Sequence, residues 1–159
     1  VLRLSKKTDY ALMAMKHLAL QSAASGGVGA ASAREIAEHY DIPIELLAKI
    51  LQRLARRGLL ASHQGTRGGY SLARPATVIS VADVIQAVDG PLTVTACSVH
   101  DQGCGQYSKC NVRDPLWRIK DRILTSLAAC SLDEIATDAP MTAAGPELQP
   151  VTLSRRARE

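Results

Sequence analysis

At 159 residues the chain has room for one compact domain, or for a small domain with an appended dimerisation element. Its 47% hydrophobic residues suffice for a core, while 3% aromatics and no Phe exclude the stacking platforms of proteins that bind single strands or RNA. The net charge of +4 is unevenly spread: residues 1–75 hold eleven Lys and Arg against five Asp and Glu, and residues 76–159 hold eight against ten. A basic first half suits a phosphate-binding surface, because neutralised phosphates release condensed counterions; on charge alone, a solvated basic face reads the same way.

Arg3, Lys6 and Lys7 ahead of the apolar stretch Tyr10 to Leu20 imitate a signal peptide, but Asp9, Lys16 and His17 interrupt it and no cleavage site follows. No window approaches the ~18 apolar residues that a membrane span needs. The expectation is a soluble, cytoplasmic protein with no membrane partner. In that reducing compartment its four cysteines point to metal or redox chemistry rather than structural disulfides.

Residues 5–21 carry apolar positions at helical spacing, and the Gly/Ser/Ala-rich stretch 22–31 reads as a flexible, exposed connection. Ser32-Ala-Arg-Glu35 is a capping box that opens a helix to Tyr40. Asp41-Ile-Pro43 makes the turn into a second helix, which runs to Arg57 and stops at Gly58. A strand at 59–64, the turn Gly65-Thr-Arg-Gly-Gly69 and a strand at 70–72 form a hairpin. Ser80 and Asp83 cap another helix, closed by Asp89-Gly90-Pro91, and 92–113 reads as a loop bearing three cysteines. Asp114-Pro115 opens a long helix to about Ala129, with Leu116, Ile119, Ile123 and Leu127 along one face. A short capped helix at 131–136 follows, and the Pro- and Arg-rich remainder from 137 reads as a disordered tail.

Short helix, turn, longer helix and hairpin make a winged helix-turn-helix, so the fold class is mainly α with a two-stranded wing and a long C-terminal dimerisation helix. The corresponding division is 1–91 for DNA binding, 92–113 for the cysteine loop, 114–136 for dimerisation and 137–159 for the tail. On the second helix, Ile44, Leu47, Ile50, Leu51 and Leu54 form the stripe expected to be buried. Lys49 and Gln52 are left to read base edges of a double-stranded operator, and Arg53 and Arg56 to hold phosphates. Arg67, among the wing glycines, is placed to enter a minor groove. The alternative reading makes these ordinary solvated charges on a structural bundle.

Cys97, Cys104 and Cys110 have the spacing C-x6-C-x5-C. Thiolates suit iron–sulfur clusters, zinc or copper(I), and long loops can arch around a cluster where zinc knuckles use tighter C-x2-C pinches. A zinc site completed by His100, or a thiol switch, would need the same residues. Cys130, at the end of the long helix near Leu127, reads as core packing. His17, His39 and His63 read as surface or helix residues. With no nucleotide loop, alkyltransfer motif or paired catalytic carboxylates, the chain is not expected to be an enzyme.

Residues 2–11 (Leu-Arg-Leu-Ser-Lys-Lys-Thr-Asp-Tyr-Ala), the helix-turn-helix Ile36 to Leu54, Arg57-Gly-Leu-Leu60, Gly65-Thr-Arg-Gly-Gly-Tyr70, Gly90-Pro-Leu92 and the three cysteines together resemble the Rrf2 family of bacterial winged-helix regulators. The cysteine stretch is most similar to members that control SUF cluster-assembly operons. The resemblance implies a homodimer joined through the helix from Pro115. It also implies an iron–sulfur cluster, 2Fe-2S ahead of 4Fe-4S, on Cys97, Cys104, Cys110 and a fourth, non-cysteine donor. IscR-like members carry a histidine three residues after the last cysteine; here Arg113 stands there, and a guanidinium does not ligate iron. NsrR-like members use an aspartate of the partner's first helix, the position of Asp9, with His100 as competitor. The implied function is a cluster-dependent regulator, a repressor of iron–sulfur assembly or of redox or nitric-oxide stress genes. A thiol- or zinc-based regulator is the alternative.

Overall fold

A computed structural model describes residues 3–27, 29–65, 68–93 and 104–137. Helix α1 (Lys6–Ala24) starts at Ser5, whose hydroxyl accepts the Thr8 N–H at 3.2 Å. Its face Ala11, Ala14, Met15, Leu18 and Ala19 is buried and forms the spine of the core. The helix runs three residues past the expected end at 21, and the connection after it is not wholly loose. Ala30–Ala31 form a strand, β1, with Ala31 only 2% exposed.

Helix α2 (Ala33–Tyr40) opens on the expected capping box: the Glu35 carboxylate accepts the Ser32 N–H at 2.6 Å, and the Ser32 hydroxyl accepts the Glu35 N–H at 3.2 Å. Asp41 ends it in the left-handed region (φ 52°), and the Ile42 N–H reaches back to the Ala37 carbonyl at 3.0 Å. That bond closes the turn and drives Ile42 into the core. Helix α3 (Ile44–Arg56) buries Leu47, Ile50, Leu51 and Leu54. Ile44, expected in the same stripe, is 42% exposed: it lies at the helix start, beyond the core edge that Ile42 fills. Gly58 (φ 73°) follows the C-cap, and Leu59 N–H bonds the Leu54 carbonyl at 3.1 Å, the six-to-one closure that a left-handed residue permits.

Strands β2 (Leu60–His63) and β3 (Gly69–Leu72) pair antiparallel, with Leu60 opposite Leu72 and His63 opposite Gly69. The expected two-stranded wing is a three-stranded sheet in the order β1-β3-β2, with Ala31 opposite Tyr70. Gly69 makes the extra pairing feasible: a Cβ there would lie 2.6 Å from the Ala31 carbonyl oxygen. Helix α4 (Val81–Asp89) has a second capping box, Ser80 with Asp83, and buries six apolar residues against α1 and α3. Helix α5 (Arg113–Ala129) packs on α4, and α6 (Leu132–Thr137), capped by Ser131, returns to α1 and buries Leu132. The fold is mainly helical with a winged helix-turn-helix, as expected.

Candidate nucleic-acid interface and cysteine loop

Along α3 the exposed residues Glu45, Lys49, Gln52 and Arg56 follow one another at four-, three- and four-residue steps, so they share one outward face. Lys49 and Gln52 therefore sit side by side on the exposed face of α3. Arg53 is exposed too, but its Nε–H donates to the Ala87 carbonyl of α4 at 2.8 Å. That carbonyl is among the last four of α4, which lack intrahelical partners and carry the negative end of the helix dipole. Arg53 thus braces α3 on α4, a role the sequence alone does not disclose. Arg67 lies outside the described residues; the wing strands leading to it are in place, and the Gly68 N–H closes the tip on the Gly65 carbonyl at 2.9 Å.

Behind the interface, α1 and α2 are joined by a cluster of His17, His39 and Tyr40. His17 Nδ1 is 3.3 Å from the Tyr40 hydroxyl, and Gln21 Nε2 is 3.2 Å from His17 Nε2. Burial and the neighbouring His39 hold His17 below the usual imidazole range, against a smaller opposite pull from Glu35. Spaced at 22 residues, the two histidines gave no sign of meeting.

Cys97 and His100 lie outside the described residues. Cys104 is exposed and Cys110 half-buried, and neither is in a disulfide. Between them a short 3₁₀ turn, Tyr107–Lys109, follows the Tyr107 N–H bond to the Cys104 carbonyl at 3.0 Å. Arg113 holds this turn to α5: its Nη1 donates to the Tyr107 carbonyl at 3.2 Å, and its guanidinium stacks 4.4 Å from the Tyr107 ring centroid. Its Nε also bonds Asp114 at 2.8 Å, the chief cause of its raised pKa, with a smaller contribution from Cys110. Arg113 is therefore a loop anchor that places positive charge near Cys110. Trp117, a turn further along α5, has a buried Nε1–H with no partner among the described residues.

Two thiols outside disulfides on an exposed turn, with a cation beside the second, form a donor set that fits an anionic thiolate-held centre. Among the described residues no three His, Cys, Asp or Glu converge within one chain. Asp9 is half exposed on the first turn of α1, with Lys6 Nζ at 3.9 Å. Cys130 is half-buried at the C-cap of α5, where its carbonyl accepts the Val81 N–H at 3.0 Å.

α5 has no buried residue. Its stripe is only partly covered among the described residues: Leu116, Ile123 and Leu127 are half-buried and Ile119 is 46% exposed. No described helix is long and apolar enough to cross a membrane.

A helix-turn-helix with a basic outward face and a wing defines the winged-helix class of fold. Residues 4–138 match the model of the Rrf2 family, described as an iron-dependent transcriptional regulator. The chain belongs to the Rrf2 family. It is 45% identical over 104 residues to an HTH-type transcriptional regulator of Mycobacterium tuberculosis (strain H37Rv), a match that takes in 65% of this chain and spans 60% of that relative's length. It is 36% identical over 138 residues to the HTH-type transcriptional regulator IscR of Photorhabdus laumondii, covering 86% of this chain and 80% of the relative. The structure of CymR, the global cysteine regulator of B. subtilis, superposes with a TM-score of 0.72 at 26% identity, over 88% of this chain and all of the other. These relatives are regulators of transcription, not enzymes.

Proposed function

We propose that the chain is a homodimeric, iron–sulfur-dependent repressor of iron–sulfur assembly or redox and nitric-oxide stress genes. The observation that carries this reading is the cysteine turn itself: two thiols outside disulfides, pinned by Arg113 to the start of α5, an amphipathic helix with no residue buried within the chain. In the proposed division, residues 1–91 bind DNA, 92–113 sense, 114–136 dimerise and 137–159 form a tail.

Cys97, Cys104 and Cys110 would hold a cluster, 2Fe-2S ahead of 4Fe-4S, with Asp9 of the partner subunit as the fourth donor and His100 as its rival. When bound, the cluster supplies a redox-active iron centre whose weakest ligand can exchange. The chain does the rest. α5 pairs two copies, and Lys49 and Gln52 of each copy read base edges in successive major grooves. Arg67 enters the adjoining minor groove. A palindromic operator tolerates little change in half-site spacing, so the tie between one copy's cysteine loop and the other's α1 sets operator affinity. Such a regulator works in the cytoplasm, where the chromosome is.

The test is anaerobic purification of the full chain with visible absorbance and iron and sulfide analysis. Iron and sulfide in equal amounts with a brown colour support the reading. A colourless chain binding the same DNA would support the second reading, a thiol- or zinc-based regulator. The exposed Cys104 and the likeness to a protein described as a cysteine regulator favour that alternative.

A further inference from the structure

Asp89, the last residue of α4, is held by the start of α1 and feels the charge of Arg53 on α3. Ser5, the N-cap of α1, gives it both donors: its N–H reaches Oδ2 at 3.1 Å and its hydroxyl reaches Oδ1 at 2.5 Å, across 84 residues of sequence. Thr8 is fully buried beside Ser5, whose hydroxyl lies 3.5 Å from the Thr8 Oγ1. On the other side stands Arg53 of α3, which donates to Ala87 two residues earlier and whose charge acts on Asp89. Burial pushes the Asp89 carboxyl up, but the Ser5 hydrogen bonds, the neighbouring Thr8 hydroxyl and the Arg53 charge outweigh it and hold the carboxyl below its usual value.

We infer that Asp89 is a positioning residue that ties the start of α1 to the end of α4, on which Arg53 braces the recognition helix α3, so that movement of the start of α1 changes how α3 meets DNA. This deepens the proposed function, because both parts of the proposed sensing site begin at this joint. Asp9 follows Thr8 directly, and Gly90 after Asp89 leads into the segment toward the cysteines. Gln52 of the DNA-facing stripe adjoins Arg53. A shift of the first turn of α1 must break the Ser5 bonds or carry Asp89 with it, and the end of α4 carries Arg53. The link consists of charged hydrogen bonds with defined geometry, so non-additivity in mutant cycles can test it.

The cycle uses the metal-free full chain and a duplex selected from a random-sequence pool by the wild type. Ser5→Ala and Arg53→Lys are made singly and together, in the wild-type and Asp89→Asn backgrounds; lysine keeps the charge that would meet phosphate but lacks the Nε–H fork. Each single change is expected to weaken duplex binding by about threefold to tenfold. The double change should be no worse than the stronger single one, and Ser5→Ala should have a smaller further effect once Asp89 is Asn, whose one oxygen can accept only part of what the carboxylate accepts. Ser5→Asp separates the joint from simple capping: its side chain still accepts the Thr8 N–H but no longer donates to Asp89, leaving only the backbone N–H bond, so it should bind as weakly as Ser5→Ala. Multiplicative losses, or wild-type affinity in Ser5→Asp, would overturn the inference. Because the chain is metal-free throughout, a protein that takes up no iron would sink the proposed function without touching this cycle.

Discussion

Ile119 lies near the middle of the apolar stripe on α5 with 46% of its surface exposed. Burying a whole isoleucine side chain is worth ~1.5–3 kcal/mol, so covering the remaining half is worth roughly 0.7–1.5 kcal/mol per subunit. A two-fold interface counts it twice, about 1.4–3 kcal/mol, which is a change of ~10- to 100-fold in a dimer dissociation constant. Ile119→Ala should therefore weaken dimerisation by that factor in sedimentation equilibrium over a wide concentration range. The chain should still fold, because no residue of α5 is buried within one copy. Thr125→Ala, on the far side of the helix, should leave the dimer unchanged. If Ile119→Ala leaves dimerisation intact while Thr125→Ala disrupts it, the copies pair through another face of α5.

Arg67→Ala should lower duplex affinity tenfold or more with dimerisation and thermal stability unchanged, since a specific groove contact is worth ~1–3 kcal/mol; fluorescence anisotropy at several salt concentrations would show it. Single changes of Cys97, Cys104 or Cys110 to Ser should remove or destabilise the visible chromophore, whereas Cys130→Ser should keep it; absorbance of anaerobic preparations decides. Asp9→Ala should shift the cluster spectrum and hasten its loss while His100→Ala does little, and the reverse would move the fourth ligand into the loop and remove the intersubunit bridge.

Local signals in the sequence carried the helices. Ser32 with Glu35 and Ser80 with Asp83 satisfy helix-end donors within four residues, so their pattern is visible without a fold, and Pro43 and Gly58 mark the bounds of α3 in the same way. The stripe of α3 was right except at Ile44, because periodicity continues past the point where the core ends. Strand β1 could not be read from Ala30-Ala31, which has no alternation and exists through pairing with β3 some forty residues on. The bracing role of Arg53 and the Asp89 joint were invisible for the same reason: their partners are 34 and 84 residues away. At the cysteine turn, spacing proposed the donors, but only the fold shows Arg113 as an anchor on Tyr107.

In the proposed mechanism an iron–sulfur centre on the cysteine loop controls DNA binding. The most direct measurement takes one anaerobic sample of the full chain, determines its affinity for the selected duplex, removes the iron with a chelator, and measures again. Coupling between two sites typically amounts to ~1–3 kcal/mol, so the affinity should change by about 5- to 150-fold and return when iron and sulfide are restored. The same affinity with and without iron, in a chain that does hold the centre, would contradict the account.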